Sequence, residues 1–248
     1  MTARATVEVA LGSLNLHGGR TPLGKPYSVA EAIGSMATDV VVVQENWRPE
    51  GSDSLVRKAA EQCGYEEVLE VDLLGETSLH DLGIVDRLAA SEPGSWGLAV
   101  LSRLPVVGQS IVGLGSAAGD MGPRAALVVD LGRNARPVLR VVNTHLTHRA
   151  IHGPGQLRRL LIAVAAELPV VIVGDLNMCR PMIYLAHPYR PVVRGRTWPA
   201  QRPVAQLDHV LAGTGIRTAG GTVMAPVGSD HLPIRVDLTV ESDRPGRD

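Results

Sequence analysis

Gly174-Asp175-Leu176-Asn177 follows directly on the apolar run Pro169-Val170-Val171-Ile172-Val173, so a strand-like segment with no polar face ends in an acid and an amide. That pair can hold a metal or a water, although an acid in this place can equally cap the next helix. The arrangement recurs along the chain. Asn15 closes the run 7–14, Gln44-Glu45 the run 40–43, Asn143-Thr144-His145 the run 138–142 and Asp208-His209 the run 204–207, and Ser229-Asp230-His231 stands near the C-terminus. Strand ends ordinarily carry Gly, Pro or Ser for turning. Six polar clusters of this kind point instead to metal, phosphate or proton chemistry gathered at one edge of a fold.

The elements that would position them follow from periodicity. Residues 7–16 read as a strand, Gly18-Gly19 and Pro22 as a turn, and Ser28-Val29-Ala30-Glu31 as a capping box opening a helix through Met36. The unbroken valines of 39–44 predict a buried strand, and a second helix over 54–63 stops at Gly64. Residues 65–71 alternate as a strand. The stretch 72–95 reads as a long connection with helical character over 84–90, and its length suggests a lid. Strands at 96–101, 106–114, 125–131 and 138–143 are separated only by turns, which requires antiparallel pairing. A helix over 156–167, a strand over 169–174, an irregular stretch 178–202 and strands at 205–211, 222–225 and 232–240 complete the chain. Residues 1–240 are expected to form a single domain, with 241–248 a charged, disordered tail. Helices alternating with strands at both ends of a central meander predict an α/β (α+β) fold, two packed, mainly antiparallel sheets flanked by helices.

Composition narrows the function classes. The 248 residues are 45% hydrophobic and contain no phenylalanine, so the core must be Val, Leu, Ile and Ala. A net charge of −1 does not mark a nonspecific nucleic-acid or membrane binder. Cys63 and Cys179 suit neither a metal-ligand spacing nor a disulfide framework. With no apolar signal core and no 18-residue apolar run, the expectation is a cytoplasmic protein without a transmembrane segment.

Seven short motifs in order, Leu14-Asn15, Gln44-Glu45, Leu101-Ser102-Arg103-Leu104-Pro105, Asn143-Thr144-His145-Leu146, Gly174-Asp175-Leu176-Asn177, Leu207-Asp208-His209 and Ser229-Asp230-His231, resemble those of the endonuclease/exonuclease/phosphatase superfamily, the deoxyribonuclease I-like fold. The resemblance runs along nearly the whole chain. It implies a four-layer αββα sandwich, a divalent cation, Mg²⁺ or Mn²⁺, and hydrolysis of a phosphoester, but no particular substrate.

Carried onto this sequence, the resemblance makes Glu45 the first metal ligand, with Asn15 completing or orienting the site and Asp230 adding to it. Asp175 would position or deprotonate the attacking water, and Asn177 would donate an amide N–H to a phosphate oxygen. His231 is the second catalytic group, its ring held in one tautomer by Asp208. His145 would donate to a phosphate oxygen or protonate the leaving group, though a lone histidine after a strand is as readily structural. Arg124 is expected near the site and Arg103 in a structural role. His17, His80, His148, His152, His187 and His209 read as surface or packing residues.

Arg180, Arg190, Arg194, Arg196 and Arg202, interleaved with Tyr184, Tyr189 and Trp198, could form an anion-binding rim or simply a solvated loop, and Arg196 is taken as a substrate contact. The expected partner is a phosphoester substrate, whether a small molecule, a phospholipid headgroup or nucleic acid, and no protein partner is expected. The leading expectation is a metal-dependent phosphodiesterase or phosphatase. The alternatives are a metal-dependent nuclease of DNA or RNA, and a catalytically silent binding module on the same fold.

Overall fold

The computed structural model describes residues 6–86, 92–133 and 135–241. Its elements are β1 (Thr6–Asn15), α1 (Val29–Ser35), β2 (Val40–Pro49), α2 (Leu55–Cys63), β3 (Glu67–Ser78), β4 (Pro93–Ser102), β5 (Val106–Gly115), β6 (Arg124–Arg133), β7 (Arg136–His145), α3 (Gly153–Val164), β8 (Val170–Asp175), α4 (Arg180–Ile183), β9 (Arg190–Pro191), β10 (Asp208–Ala212), β11 (Ile216–Val223) and β12 (Ile234–Glu241). The strands make two six-stranded sheets, ordered β11-β12-β1-β2-β4-β3 and β5-β6-β7-β8-β10-β9. Each sheet contains one parallel pair, β1 with β2 and β7 with β8, and the other pairs are antiparallel.

The Val-rich strands explain the layering. One face of each sheet meets the other in a shared core that includes Leu11, Val42, Val100, Val129, Val141, Val173 and Val236. The outer face of the first sheet packs with α1 and α2 through Ile33, Met36, Val56 and Ala60, and that of the second packs with α3 through Leu157, Leu160 and Val164. The result is the αββα sandwich. Ser28 and Ser54 cap α1 and α2 by accepting from the backbone N–H of Glu31 and Arg57, and α2 stops where Gly64 turns left-handed.

This topology gathers the polar strand ends. Parallel pairing aligns Asn15 with Gln44 and His145 with Asp175, while antiparallel β10 begins with Asp208 opposite Asp175. The C-terminal ends of β1, β7 and β8 therefore share one edge with the start of β10. Gly174 makes the close approach possible: its φ is 137°, and a Cβ there would lie 2.1 Å from the Thr144 carbonyl oxygen.

A polar bridge ties the sheets together beside this edge. Asn143 on β7 donates through Nδ2 to the carbonyls of Val43 and Ala99, 2.8 Å each, and accepts at 2.7 Å from Gln44 Nε2 through Oδ1. Those carbonyls lie where the β2–β4 register slips between Val43 and Asn46, so the amide satisfies acceptors that the bulge leaves open. Asn143→Leu should strand these buried groups and lower unfolding free energy by roughly 3 kcal/mol. The expected readout is a lower urea midpoint at unchanged slope.

Several elements differ from the sequence expectation. The stretch 72–95 is strand at both ends: β3 continues to Ser78 and β4 already begins at Pro93, with register shifts at Asp72/Leu74 and Leu74/Thr77 that break the alternation. Residues 79–86 form the turn that follows, and most of the helix expected over 84–90 lies outside the described residues. β11 begins at Ile216, six residues early, because Gly220-Gly221 sits at a bulge rather than a turn. The stretch 178–202 contains α4, a 3₁₀ turn at Tyr184–Ala186 and the short β9. The tail beyond 241 lies outside the described residues.

Candidate active site

The polar edge opens into a cleft of about 500 Å³, whose lining includes His17, Glu45, Arg124, His145, Asp175, Asn177, Asp230 and His231. One atom organises its floor. Oδ2 of the buried Asp175 lies 3.2 Å from Asn15 Nδ2, 3.5 Å from His145 Nε2 and 3.7 Å from His231 Nε2. Its other oxygen accepts from the Asn177 N–H at 2.9 Å. Burial pushes the Asp175 carboxyl up to about 7, with the charges of Asp208 and Glu45 adding to the shift and His231 opposing it.

His231 is held from behind. Its Nδ1 lies 2.9 Å from Oδ2 of the buried Asp208, whose own N–H donates to Thr197 Oγ1. Burial disfavours the imidazolium, yet Asp208 and Asp175 together raise the ring's pKa to about 11. The ring is thereby held as an imidazolium, with its Nε2–H directed towards Asp175. His145 has the opposite character: burial, then Arg124 and His231, push it well below the usual imidazole range, so it is neutral. Two histidines a few ångströms from one carboxylate thus differ in charge because one has a carboxylate behind it.

A second group of acids stands beside the first. Glu45 points into the cleft with His17 Nδ1 at 3.8 Å and His145 Nδ1 at 3.9 Å, and burial raises its carboxyl. Asp230 accepts from His17 Nδ1 and Trp198 Nε1, 3.2 Å each. Burial works against its ionisation, but the His17 bond and nearby His231 hold its carboxyl below the ordinary value. Asn15 links the two groups, giving Nδ2 to Asp175 while its Oδ1 accepts from the His17 N–H.

Unusual backbone builds this corner. His17, Glu45 and Asn177 have φ of 48°, 56° and 51°, and each lines the cleft. Non-glycine residues in the left-handed region are costly and persist where surrounding structure over-determines them. At Glu45 the cause is the β2 bulge, which re-aims a side chain that strict alternation would place elsewhere.

Of the residues expected from sequence, Asn15, Glu45, His145, Asp175, Asn177, Asp208, Asp230 and His231 come together here. Asn177 gives one amide N–H to the Leu146 carbonyl at 3.0 Å and has another to offer. Arg124 lines the cleft, anchored 3.8 Å from Asp120, with its buried Nε unpartnered. Arg196 is exposed and does not line the cleft. In the same stretch Arg180 and Arg190 spend their guanidinium groups on Gln206 and on backbone carbonyls, so the arginine series is partly structural. Arg103 donates to the Cys63 carbonyl and stacks over Tyr65, a packing role.

His17 and His148 correct the sequence reading, which left them at the surface or in packing; both line the cleft. The available signal was position, since His17 follows Asn15 by two and precedes Gly18-Gly19. His209 is a packing residue as expected, its Nε2 bound to the Met178 carbonyl.

Two sets of side chains could hold a cation. Asp175, Asp208 and His231 each offer a ligand atom within 4.8 Å of one another, though the His231 Nδ1 is already engaged by Asp208. Glu45 and Asp230 offer hard oxygen donors in the cleft lining, with the Asn15 Oδ1 buried beside them and already accepting from the His17 N–H, a set that suits Mg²⁺ or Mn²⁺.

The fold is shared with solved structures. An endonuclease/exonuclease/phosphatase from Beutenbergia cavernae DSM 12333 superposes with a TM-score of 0.73 at 25% identity, covering 96% of this chain and 72% of its own. A mannosyl-6-phosphatase from Bacteroides thetaiotaomicron VPI-5482 gives 0.66 at 12% identity over 93% of this chain and 99% of its own. D. rerio TDP2, in complex with a single strand DNA product, gives 0.65 at 15% over 93% and 98%. No curated protein matches the chain. Among the described residues no helix is long and apolar enough to cross a membrane. A sequence profile of the endonuclease/exonuclease/phosphatase family matches residues 12–231. That span takes in every strand end lining the cleft, and the protein belongs to this family of hydrolases acting on phosphoester bonds.

Proposed function

We propose that the protein is a divalent-metal-dependent hydrolase of phosphoester bonds, a phosphodiesterase or phosphatase in which a water bound at Asp175 attacks phosphorus. The observation that carries this reading is the convergence of Asn15, His145 and His231 on a single buried oxygen of Asp175. A carboxylate near neutrality in its pKa is suited to accept a proton from water, whereas an ordinary surface acid is too weak a base.

Each neighbour then has a task. Asn15 and the Asn177 N–H fix the carboxylate. His231, charged and backed by Asp208, supplies positive charge where the pentacoordinate phosphorus gathers negative charge. His145, neutral, donates one N–H to a phosphate oxygen or to the leaving oxygen. Arg124 brings its guanidinium charge to the same cleft, and Asn177 an amide N–H beyond the one given to Leu146. Glu45, Asp230 and Asn15 would hold the cation, Mg²⁺ or Mn²⁺. When bound, it would neutralise charge on the phosphate oxygens.

The test is hydrolysis of plasmid DNA, abasic duplex, RNA, sphingomyelin, inositol phosphates and simple alkyl and aryl phosphates, with and without Mg²⁺ or Mn²⁺, and with His231→Ala as control. Metal-dependent turnover lost in His231→Ala supports the reading. A folded protein that turns over nothing argues for a silent binding module instead.

A pH dependence follows from Asp175. The base must be ionised, and its pKa is raised to about 7, so protonation removes it as pH falls. The expected profile of kcat/KM falls about tenfold per unit on the acid side of the Asp175 pKa and levels above it, and the break moves to lower pH as cation is added, because a nearby positive charge favours the carboxylate.

A further inference from the structure

The cleft is not polar throughout. Leu74 near the middle of β3, Leu82 and Ile84 in the turn after it and Trp96 on β4 line the same space as Glu45 and His145, joined by Met121 before β6 and by Trp198. Leu74, Leu82 and Trp96 are half-buried and Met121 is 49% exposed; Leu82 and Trp96 pack with one face on the small cluster of Trp47, Leu79 and the buried Ile84 and keep part of their surface in the cleft. Glycine at 97 lets β4 pass close to β3 beneath this wall, for a Cβ there would sit 1.9 Å from the Val71 carbonyl oxygen. The wall is therefore built on paired strands as well as a turn.

The charges lining the cleft are equally specific. Among the described residues that line it, Arg124 is the one arginine or lysine, against the carboxylates of Glu45, Asp175 and Asp230. A groove that tracks a polynucleotide needs a series of cations along it as well as aromatic faces. The described lining offers one guanidinium for a phosphate and, beside it, apolar surface.

We infer, taking the proposed hydrolysis as given, that the substrate is a small phosphoester whose phosphate sits at Arg124 and His145 and whose esterified group is apolar, an alkyl or aryl moiety seated on Leu74, Leu82, Ile84, Trp96 and Met121. Apolar area removed from water favours such a group in proportion to its length. The volume of about 500 Å³ suits a ligand of drug-like size, more than an isolated phosphate fills. The occupant is specified by continuity: the apolar wall and the proposed phosphate donors line one cleft, so a single ligand meets both.

Trp96 and Trp198 supply the readout. Fluorescence titration of the full chain with methyl, butyl and octyl phosphate below their micellar range, with 1-naphthyl phosphate and with AMP, in the presence and absence of Mg²⁺, measures binding without requiring turnover. Octyl phosphate is expected to bind at least about tenfold more tightly than methyl phosphate, with butyl between them. The octyl-to-methyl ratio should fall severalfold in Leu82→Ser and, independently, in Leu74→Ser, which keeps the test valid if either variant folds poorly. A stronger response to 1-naphthyl than to octyl phosphate assigns an aryl group, and the reverse an alkyl chain.

Affinity that ignores chain length, AMP binding more tightly than either apolar ester, or a ratio unmoved in both folded variants overturns the inference. If esters are hydrolysed with no dependence on chain length, the hydrolase reading stands while this one falls. If no phosphate ester binds with or without Mg²⁺, both fall.

Discussion

An Asp175→Asn protein is expected to lose at least about 10³-fold in kcat/KM against whichever phosphoester the wild type hydrolyses, while its stability stays within about 1 kcal/mol of wild type. The two halves come from the same buried oxygen. As a base, the carboxylate is the one group within reach of His145, His231 and Asn15 at once, and an amide in its place cannot take a proton from water. As a structural element, it is a desolvated charge that the fold tolerates rather than needs. Its pKa is raised above the unfolded value of a carboxyl, so at neutral and higher pH ionisation costs folding stability. The isosteric amide removes that cost and can still accept from the Asn177 N–H through its carbonyl oxygen. Steady-state kinetics beside thermal melts check both. A variant retaining a tenth of wild-type activity would refute the role of Asp175, and one that loses activity only by unfolding would make it structural.

This separation of function from stability bears on how much could be read without coordinates. The Val-rich runs ending at Asn15, Gln44, His145 and Asp175 were legible as strands because buried strands carry a dense, local hydrophobic signal and their polar termini break it abruptly. That these ends share one edge depends on two parallel pairs that the runs themselves do not reveal, and the turn-linked strands expected to pair over 96–143 are divided between the sheets, β4 pairing with β2 and β3 while only β5, β6 and β7 form a meander. Equally illegible is whatever depends on an interruption of regular pairing. β3 runs on past Val71 through two register shifts, and β11 passes through Gly220-Gly221, so periodicity ends before the strand does.

His17 was missed for a related reason. Its placement against Asp230 requires a left-handed residue after β1, a property of the turn rather than of the histidine. Arg196 shows the converse: a residue of suitable chemistry in a suggestive stretch, yet exposed and outside the cleft lining, because chain proximity to Asp175 does not decide which way the 178–202 segment turns. The apolar wall had no local signature at all, since Leu74, Leu82 and Trp96 come from segments whose hydrophobic residues are indistinguishable in sequence from core.

Glu45→Gln is expected to abolish the stabilisation that Mg²⁺ or Mn²⁺ confers on the folded chain and to lower metal-dependent turnover by about 10² or more at a fixed cation concentration. The carboxylate reaches the cleft only because β2 slips register between Val43 and Asn46 and residue 45 adopts a φ of 56°. Such a bulge costs ladder hydrogen bonds, and Asn143 of the opposite sheet compensates by donating to the freed carbonyls. Burial raises the Glu45 pKa, with His17, His231 and a hydrogen bond from Asn15 opposing the shift only in part, and the nearest ring nitrogens, at 3.8 and 3.9 Å, stand beyond hydrogen-bond distance. A hard cation would favour the ionised form by giving the oxygens a stronger partner. Binding to the folded state alone raises unfolding free energy by about 2.7 kcal/mol when free cation is a hundred times its dissociation constant. The wild type should therefore show a cation-dependent rise in melting temperature that Glu45→Gln lacks, whereas Asp175→Asn should keep that rise while losing turnover. Equal thermal shifts in the wild type and Glu45→Gln would move the cation to the Asp175, Asp208 and His231 group. In that case Asp175→Asn, rather than Glu45→Gln, would be the variant whose melting no longer responds to metal.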